Sequence, residues 1–483
     1  MNRQIRRLGI VLMGLFVALF LQLNYLQVVR ADKLANHPLN TRVVTRDFAR
    51  PRGTIQTADG VVLARSVPVD TGFKRLRQYP EGALFSPVTG YFSFTFGTDG
   101  VERSYAADLS GRSGGAQLRR LRDVLADKDT TGNVTLTVTK AVQQAASSAL
   151  GPRKGAVVAL DPSTGAVLGL VGYPSFDPNP LAAHDQKSVQ AAWRGLNADP
   201  GKPLLPRAYR ERYPPGSTFK LVTAAAALES APDVAARQYP VLKTLDLPTT
   251  DRDLPNFGGR SCGGALPDLL RVSCNTGFGQ MGLDLGADVL SGRAHDFGFG
   301  SVPPFDLPRV ARSQFPDASA FSRDLPALAK SAIGQQDVTA TPLQMALVAA
   351  AIGNGGVAME PHVMAEVRDA EGGVIRRARP TPWRRAMSPA AAAALRDMMV
   401  GVVNSGTATR AGLRTVQVAA KTGTAQTVGD SAHAWLVAFA PAEAPRVAVA
   451  VVVESQPEVT EATGGRVAAP IAQAVIRAAL GAS

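Results

Sequence analysis

An apolar run at the start of the chain constrains everything that follows it. Arg3, Arg6 and Arg7 precede an uninterrupted apolar stretch from Leu8 to Leu21, which continues through Leu23, Tyr25, Leu26, Val28 and Val29 to Arg30, broken only by Gln22, Asn24 and Gln27. About 20 such residues cross ~30 Å of hydrocarbon as a helix. A cleaved signal peptide is the competing reading, but no small-x-small site closes the run, which ends Gln27-Val28-Val29-Arg30. Residues 1–30 are therefore read as a short tail and an uncleaved transmembrane anchor. The arginines lie before the run and no basic cluster directly follows it, which places the tail in the cytoplasm and everything beyond Arg30 outside.

The remainder is long enough for two or three domains, since the chain has 483 residues. With 45% hydrophobic and 19% charged residues it has the material for a core, and a wholly disordered chain is excluded. Two cysteines, no HExxH and no CxxC argue against a dedicated metal or redox centre, so no metal and no cofactor is expected. The net charge of +13 comes mainly from arginine, 41 Arg against 11 Lys. Its longest basic runs are Arg376-Arg377-Ala378-Arg379 and Arg384-Arg385, with no interleaved aromatic stripe, which excludes nucleic acid as a partner.

Residues 31–150 read as a loop-rich, mixed α+β segment, with a turn at Thr57-Ala58-Asp59-Gly60, an aromatic alternation Tyr91–Phe96, a strand Asn133–Thr139 and a helix near Lys140–Leu150. From Gly155 the pattern changes. Gly155–Leu160 and Ala166–Gly172 predict two strands joined by Asp161-Pro162-Ser163-Thr164-Gly165, a hairpin turn. Val416–Ala420, Trp435–Phe439 and Val447–Val453 predict further strands, with a closing helix around Ala468–Leu480. Between the two strand groups lie Ala-rich helical stretches, Phe219–Glu229, Thr341–Ile352 and Pro389–Val403. This order predicts one sheet assembled from both ends of residues 151–483, with a helical subdomain inserted.

Three short motifs occur in order: Ser217-Thr218-Phe219-Lys220, Ser273-Cys274-Asn275 and Lys421-Thr422-Gly423-Thr424. Pro214-Pro215-Gly216 stops any preceding element, so Ser217 falls at or near a helix N-terminus. An i, i+3 pair on a helix shares a face at about 5–6 Å between Cβ atoms, within reach for the Lys220 amine to take the Ser217 proton. Lysine suits this role because a desolvated ammonium releases its proton and a guanidinium does not. Taken alone, a capping serine followed by a solvated lysine is the plainer explanation. Ser273 and Asn275 can face one cleft if the backbone is irregular, one relaying protons and the other hydrogen-bonding a substrate amide. Alternation puts Lys421 and Gly423 on one strand face, and Gly423 lets a substrate approach the backbone. The cation and the hydroxyls of Thr422 and Thr424 suit a carboxylate, while the backbone N–H groups of Ser217 and Thr424 can form an oxyanion hole.

The S-x-x-K, S-x-N and K-T-G set resembles that of class B penicillin-binding proteins. The resemblance covers essentially the full length. Arg52-Gly53-Thr54-Ile55 with Asp59-Gly60 and Leu63-Ala64 fits the N-terminal motif, although Thr57 and Ala58 depart from its usual acidic-basic pair. Gly97–Glu102 continuing to Ser104-Tyr105, Gly155–Pro174, and Gly334-Gln335 with Thr341-Pro342-Leu343-Gln344 fit as well. The resemblance implies a transpeptidase domain of the penicillin-binding/β-lactamase-like fold in residues 151–483, with a five-stranded, mainly antiparallel sheet flanked by helices. It implies a non-catalytic pedestal or interaction domain in residues 31–150, and a single-pass bacterial membrane protein with an extracytoplasmic catalytic domain. The implied activity is D,D-transpeptidation of peptidoglycan stem peptides ending in D-Ala-D-Ala through acyl-Ser217, with β-lactams acylating the same serine. A membrane glycosyltransferase of the SEDS type is the implied partner.

The roughly 120 residues of 31–150 lack the acidic motif of a glycosyltransferase domain, and no Glu-x-x-Leu-Asn follows Ser273-Cys274-Asn275 as a β-lactamase would require. A D,D-carboxypeptidase and a non-enzymatic β-lactam sensor remain the alternatives, the second disfavoured by the single visible span. Outside the membrane, Cys262 and Cys274 sit in an oxidising compartment and are a candidate disulfide, with two unpaired small residues as the alternative. The five histidines show no triad with a GxSxG elbow, and His433 is a candidate for the cleft rim.

Overall fold

The computed structural model describes residues 2–30, 48, 50–71, 73–112, 131–426, 432–455 and 463–481; the reading of residues 31–150 therefore falls partly outside the described residues. The N-terminal run forms a helix, Asn2–Asn24, continued by a wider turn at Tyr25–Val29. The apolar segment Arg3–Gln27 is long enough to cross a membrane and rests on no other part of the protein.

The five-stranded sheet runs in the spatial order Ala419–Gln426, Ala432–Ala440, Val447–Val453, Gly155–Leu160 and Val167–Tyr173, every neighbour antiparallel. The hairpin that begins the region thus joins the three strands that end it at the pairing of Val449 with Ala159. Val447–Val453 is buried at every residue, so an all-apolar strand here, without alternation, marks a layer covered on both faces. Helices Lys140–Leu150 and Ala469–Leu480 pack together over it, and Pro342–Gly353, buried along nearly its whole length, packs against the same strands. Lys140–Leu150, which precedes residue 150, is thus a layer of this sheet. Thr139 caps it by accepting from Val142 N at 3.4 Å.

The motif strand starts later than the sequence suggests. It spans Ala419–Gln426 and carries Lys421–Thr424 in its interior, paired against Trp435, Leu436 and Val437, so that the motif is strand and not a turn at a strand end. The helix that follows Ser217 spans Lys220–Ser230 and packs on Asn275–Asp296.

A second, six-stranded sheet has the order Val374–Arg377, Met364–Arg368, Asn133–Leu136, Ile55–Gln56, Val62–Pro68 and Arg75–Gln78. Its first two strands come from far along the chain. At its centre Glu102 is fully buried between Arg52 and Arg77, each Nε at 2.6 Å from a different carboxylate oxygen, with the Tyr79 hydroxyl donating at 3.2 Å. The aromatic alternation Tyr91–Phe96 yields only a two-residue strand, Phe92–Ser93, because its rings leave the sheet geometry to stack: Phe92 on Phe48 and Phe96 on Trp193. Polar clamps fasten this region to the larger one. Asp99 accepts from Arg210 at 2.7 and 2.9 Å, and the Tyr105 hydroxyl donates to Asp306 at 2.6 Å.

Candidate active site

Ser217 sits in a 3₁₀ turn, Gly216–Thr218, that leads into the helix beginning at Lys220. Gly216 has φ 53°, and a Cβ there would meet the Thr424 carbonyl oxygen at 2.9 Å, so only glycine lets the turn lie against the motif strand. Gly216 N donates to Gly334 O at 2.9 Å and Trp435 Nε1 donates to Pro214 O at 3.0 Å. The Thr218 hydroxyl closes the turn on Pro215 O at 2.7 Å. The turn that carries Ser217 is thus gripped from the helical layer and from the sheet, and its main chain lies against that of Thr424.

Lys220 is fully buried, and its Nζ donates to Ser273 O at 2.7 Å, Asn275 Oδ1 at 2.7 Å and, at 3.4 Å, to Ser273 Oγ. The i, i+3 spacing puts Lys220 within reach of Ser217, and among the described residues no hydrogen bond links the two: the amine donates to the three acceptors of the Ser273–Asn275 motif. Lys421, also fully buried, donates to Ser273 Oγ at 2.7 Å and to Thr422 O at 2.9 Å. Ser273 can serve both lysines because it adopts φ 62° at the end of helix Leu266–Val272, a left-handed conformation that costs a serine about 1–3 kcal/mol and recurs at functional sites. Asn275 then starts the helix Asn275–Asp296. Cys274, between them, is joined to Cys262 in a disulfide, so the bridge enters the motif itself.

Burial is the dominant electrostatic influence. It lowers Lys220 well below the ordinary lysine value, with the neighbouring Lys421 ammonium adding to the effect. It pushes Lys421 down to about 7. Among the described residues no carboxylate hydrogen-bonds either amine. Glu229, at the far end of the helix Lys220–Ser230, accepts instead from Ser388 N at 3.0 Å and Ser388 Oγ at 2.8 Å.

Thr424 is half-buried beside the turn, whereas the buried Thr422 hydroxyl is 2.6 Å from that of Thr407. A Cβ on Gly423 would meet Pro215 O at 2.9 Å, so its bareness also allows the turn and strand to touch. His433 lies away from the lysines; its Nδ1 accepts from Ser455 N at 3.0 Å, its ring packs on Tyr213, and burial lowers its pKa.

Two further contributors escape sequence reasoning. Asn256 accepts from Asn275 N, and Thr407 meets Thr422. Both stand alone in loops and reach the motifs only through the fold, so their sequence neighbourhoods carry no signal.

A model of the penicillin binding protein transpeptidase domain matches residues 155–477, and a model of the penicillin binding protein A dimerisation domain matches residues 52–134. Peptidoglycan D,D-transpeptidase PbpA of Mycolicibacterium smegmatis is 42% identical over 494 residues, 99% of each chain. The protein of that description from Mycobacterium tuberculosis is 41% identical over 497 residues, again 99% of each. A ceftriaxone acyl-enzyme complex of penicillin-binding protein A from M. tuberculosis superposes with a TM-score of 0.85 at 41% identity, over 90% of this chain and 100% of that one.

Proposed function

The chain belongs to the penicillin-binding protein transpeptidase family, and from that premise we propose that it is a peptidoglycan D,D-transpeptidase with Ser217 as nucleophile and Lys220 as its base. The observation that carries the assignment is the Ser273 hydroxyl held between two buried lysines with no carboxylate partner. Neutral Lys220 takes the Ser217 proton as Oγ attacks the carbonyl of the penultimate D-Ala, through a hydrogen bond that free enzymes often leave long. The oxyanion meets the N–H groups of Ser217 and Thr424. Ser273 hands a proton to the departing D-Ala amine and recovers it from a lysine, Asn275 holds the substrate amide, and Lys421, Thr422 and Thr424 hold the terminal carboxylate over Gly423. An amine of a neighbouring strand then attacks the ester and returns the proton to Ser217.

Transfer to an amine requires an acyl-enzyme that outlives water. A poised carboxylate would shorten it, and neither lysine nor Ser273 has one among its hydrogen-bond partners. In this reading the anchor is a single pass with residues 31–483 outside the cytoplasm. Residues 31–150, apart from the helix Lys140–Leu150 that covers the five-stranded sheet, form a non-catalytic pedestal for residues 151–483, and a SEDS-type glycosyltransferase supplies the glycan strands.

The test is a fluorescent penicillin followed by a peptide thioester with a D-amino acid acceptor. Labelling that disappears in Ser217→Ala, with an adduct lasting many minutes and aminolysis product from the thioester, is the expected result. Undiminished labelling of a folded Ser217→Ala chain removes the nucleophile. An adduct that clears in seconds, with water always beating the amine, makes the protein a hydrolase.

A further inference from the structure

The helix Asn275–Asp296 has no side-chain cap of its own: its N-cap residue, Cys274, offers no acceptor to the first turn. The first N–H groups of a helix need partners. They find one across space. Asn256 Oδ1 accepts from Asn275 N at 2.8 Å and from Thr276 N at 3.0 Å, while Asn256 Nδ2 donates to Leu242 O at 2.8 Å and to Thr276 Oγ1 at 3.2 Å. Asn256 is buried, although its neighbours from Pro255 to Arg260 are exposed. The adjoining Pro255 O accepts from Asn275 Nδ2 at 3.0 Å, fixing the amide whose oxygen faces Lys220 Nζ.

We propose that Asn256 is a positioning residue for acylation: it caps the motif helix from a separate loop, keeps the adjoining Pro255 carbonyl on the Asn275 amide that faces Lys220, and does so without adding negative charge beside that amine. The inference rests on the assignment of Lys220 as base. Its uncharged side chain is the informative part. Aspartate would keep the acceptor to Asn275 N and Thr276 N, but it would give up the bonds that Asn256 Nδ2 donates to Leu242 O and Thr276 Oγ1 and would bring a charge toward the site. A carboxylate one residue from the Asn275 amide would hold the lysine protonated. Among the described residues the charged group acting on Lys220 from a packed element is Lys421 on the motif strand; Ser273, Asn275 and the Phe278 ring also face it. On the Asn256 side, Arg252, Asp253 and Arg260 are exposed, and Lys243 contributes its carbonyl to Asn256 N.

The experiment measures the rate of acylation by a fluorescent penicillin against pH for the full chain, with Asn256→Asp and Asn256→Ala variants and thermal melts alongside. Asn256→Ala is expected to slow acylation about tenfold by letting the Asn275 amide drift, with the pH midpoint unmoved. Asn256→Asp, which keeps the acceptor to Asn275 N and Thr276 N but gives up the two donated bonds, is expected to raise the midpoint of the ascending limb by about one pH unit. An Asn256→Asp profile that superimposes on the wild type overturns the proposal, as does an Asn256→Ala chain that acylates at the wild-type rate. If Ser217→Ala also labels, the assignment of the site falls; if Ser217→Ala is silent and the Asn256 variants match the wild type, only the role of Asn256 falls.

Discussion

Two regions of this molecule bury positive charge, and they do so to opposite ends. Under the six-stranded sheet, Arg52 and Arg77 close on Glu102, a carboxylate held below its usual range by both guanidinium groups in spite of its burial. Beside the five-stranded sheet, Lys220 and Lys421 close on Ser273, a neutral hydroxyl, and burial drives both amines toward losing their protons. A buried cation given an anion keeps its charge and becomes architecture. One denied an anion becomes a base. The choice of side chain follows: arginine, which does not deprotonate, holds the first cluster, and two of only 11 lysines hold the second.

The comparison breaks most violently at Glu102. Glu102→Gln leaves two buried guanidinium groups without their counter-charge, a change expected to cost about 3–5 kcal/mol; a melt or denaturant titration reads it, and a loss below about 1 kcal/mol would mean that water already screens the cluster. Next comes the lysine side. Lys220→Ala should slow penicillin acylation by at least ~10²-fold, and Lys220→Arg should be as inactive at every pH while folding, because charge is retained and basicity is lost. Recovery of the arginine variant at high pH would contradict the assigned base.

The third expectation concerns protons directly. An amine whose pKa is lowered sheds its proton as the pH rises through the lowered value. Lys220, held well below the ordinary lysine range, should put the ascending limb of acylation far below that range. Lys421, pushed down to about 7, loses the charge that meets the substrate carboxylate as the pH passes that value, and acylation should decline there. The two lysines share Ser273, so the observed midpoints belong to the pair. A flat profile from pH 5 to 9 would place no titrating lysine in the step. The smallest effect is expected at Thr407→Val, which removes one hydrogen-bond partner of Thr422, worth about 1 kcal/mol, and should weaken carboxylate-bearing substrates about fivefold in KM with kcat nearly intact.

The sequence exposed this site unevenly. The three motifs were legible because each is a short, contiguous chemical statement, and the all-apolar strand Val447–Val453 announced a doubly covered sheet. Two kinds of feature were not. Asn256 and Thr407 reach Asn275 and Thr422 across gaps of 19 and 15 residues in sequence through isolated side-chain hydrogen bonds, which leave no periodicity. The Tyr91–Phe96 alternation imitates a strand, yet its rings gain more from stacking on Phe48 and Trp193 than from pairing. Helix spacing relates Lys220 to Ser217, while the acceptors its amine holds in the free protein depend on the left-handed turn at Ser273, which is invisible locally.

The strand Met364–Arg368, which completes the smaller sheet beside Asn133–Leu136, bears on how the chain is made. Residue 364 follows residue 136 by 364 − 136 = 228 positions. At ~5–20 residues per second, synthesis delivers it roughly 10–50 s after Leu136. Throughout that interval Asn133–Leu136 presents an unpaired edge, the kind of surface that recruits foreign strands. Biogenesis of this protein therefore includes a waiting period set by the ribosome, during which a chaperone at that edge would be most useful and a truncation anywhere before residue 364 would leave the edge open permanently.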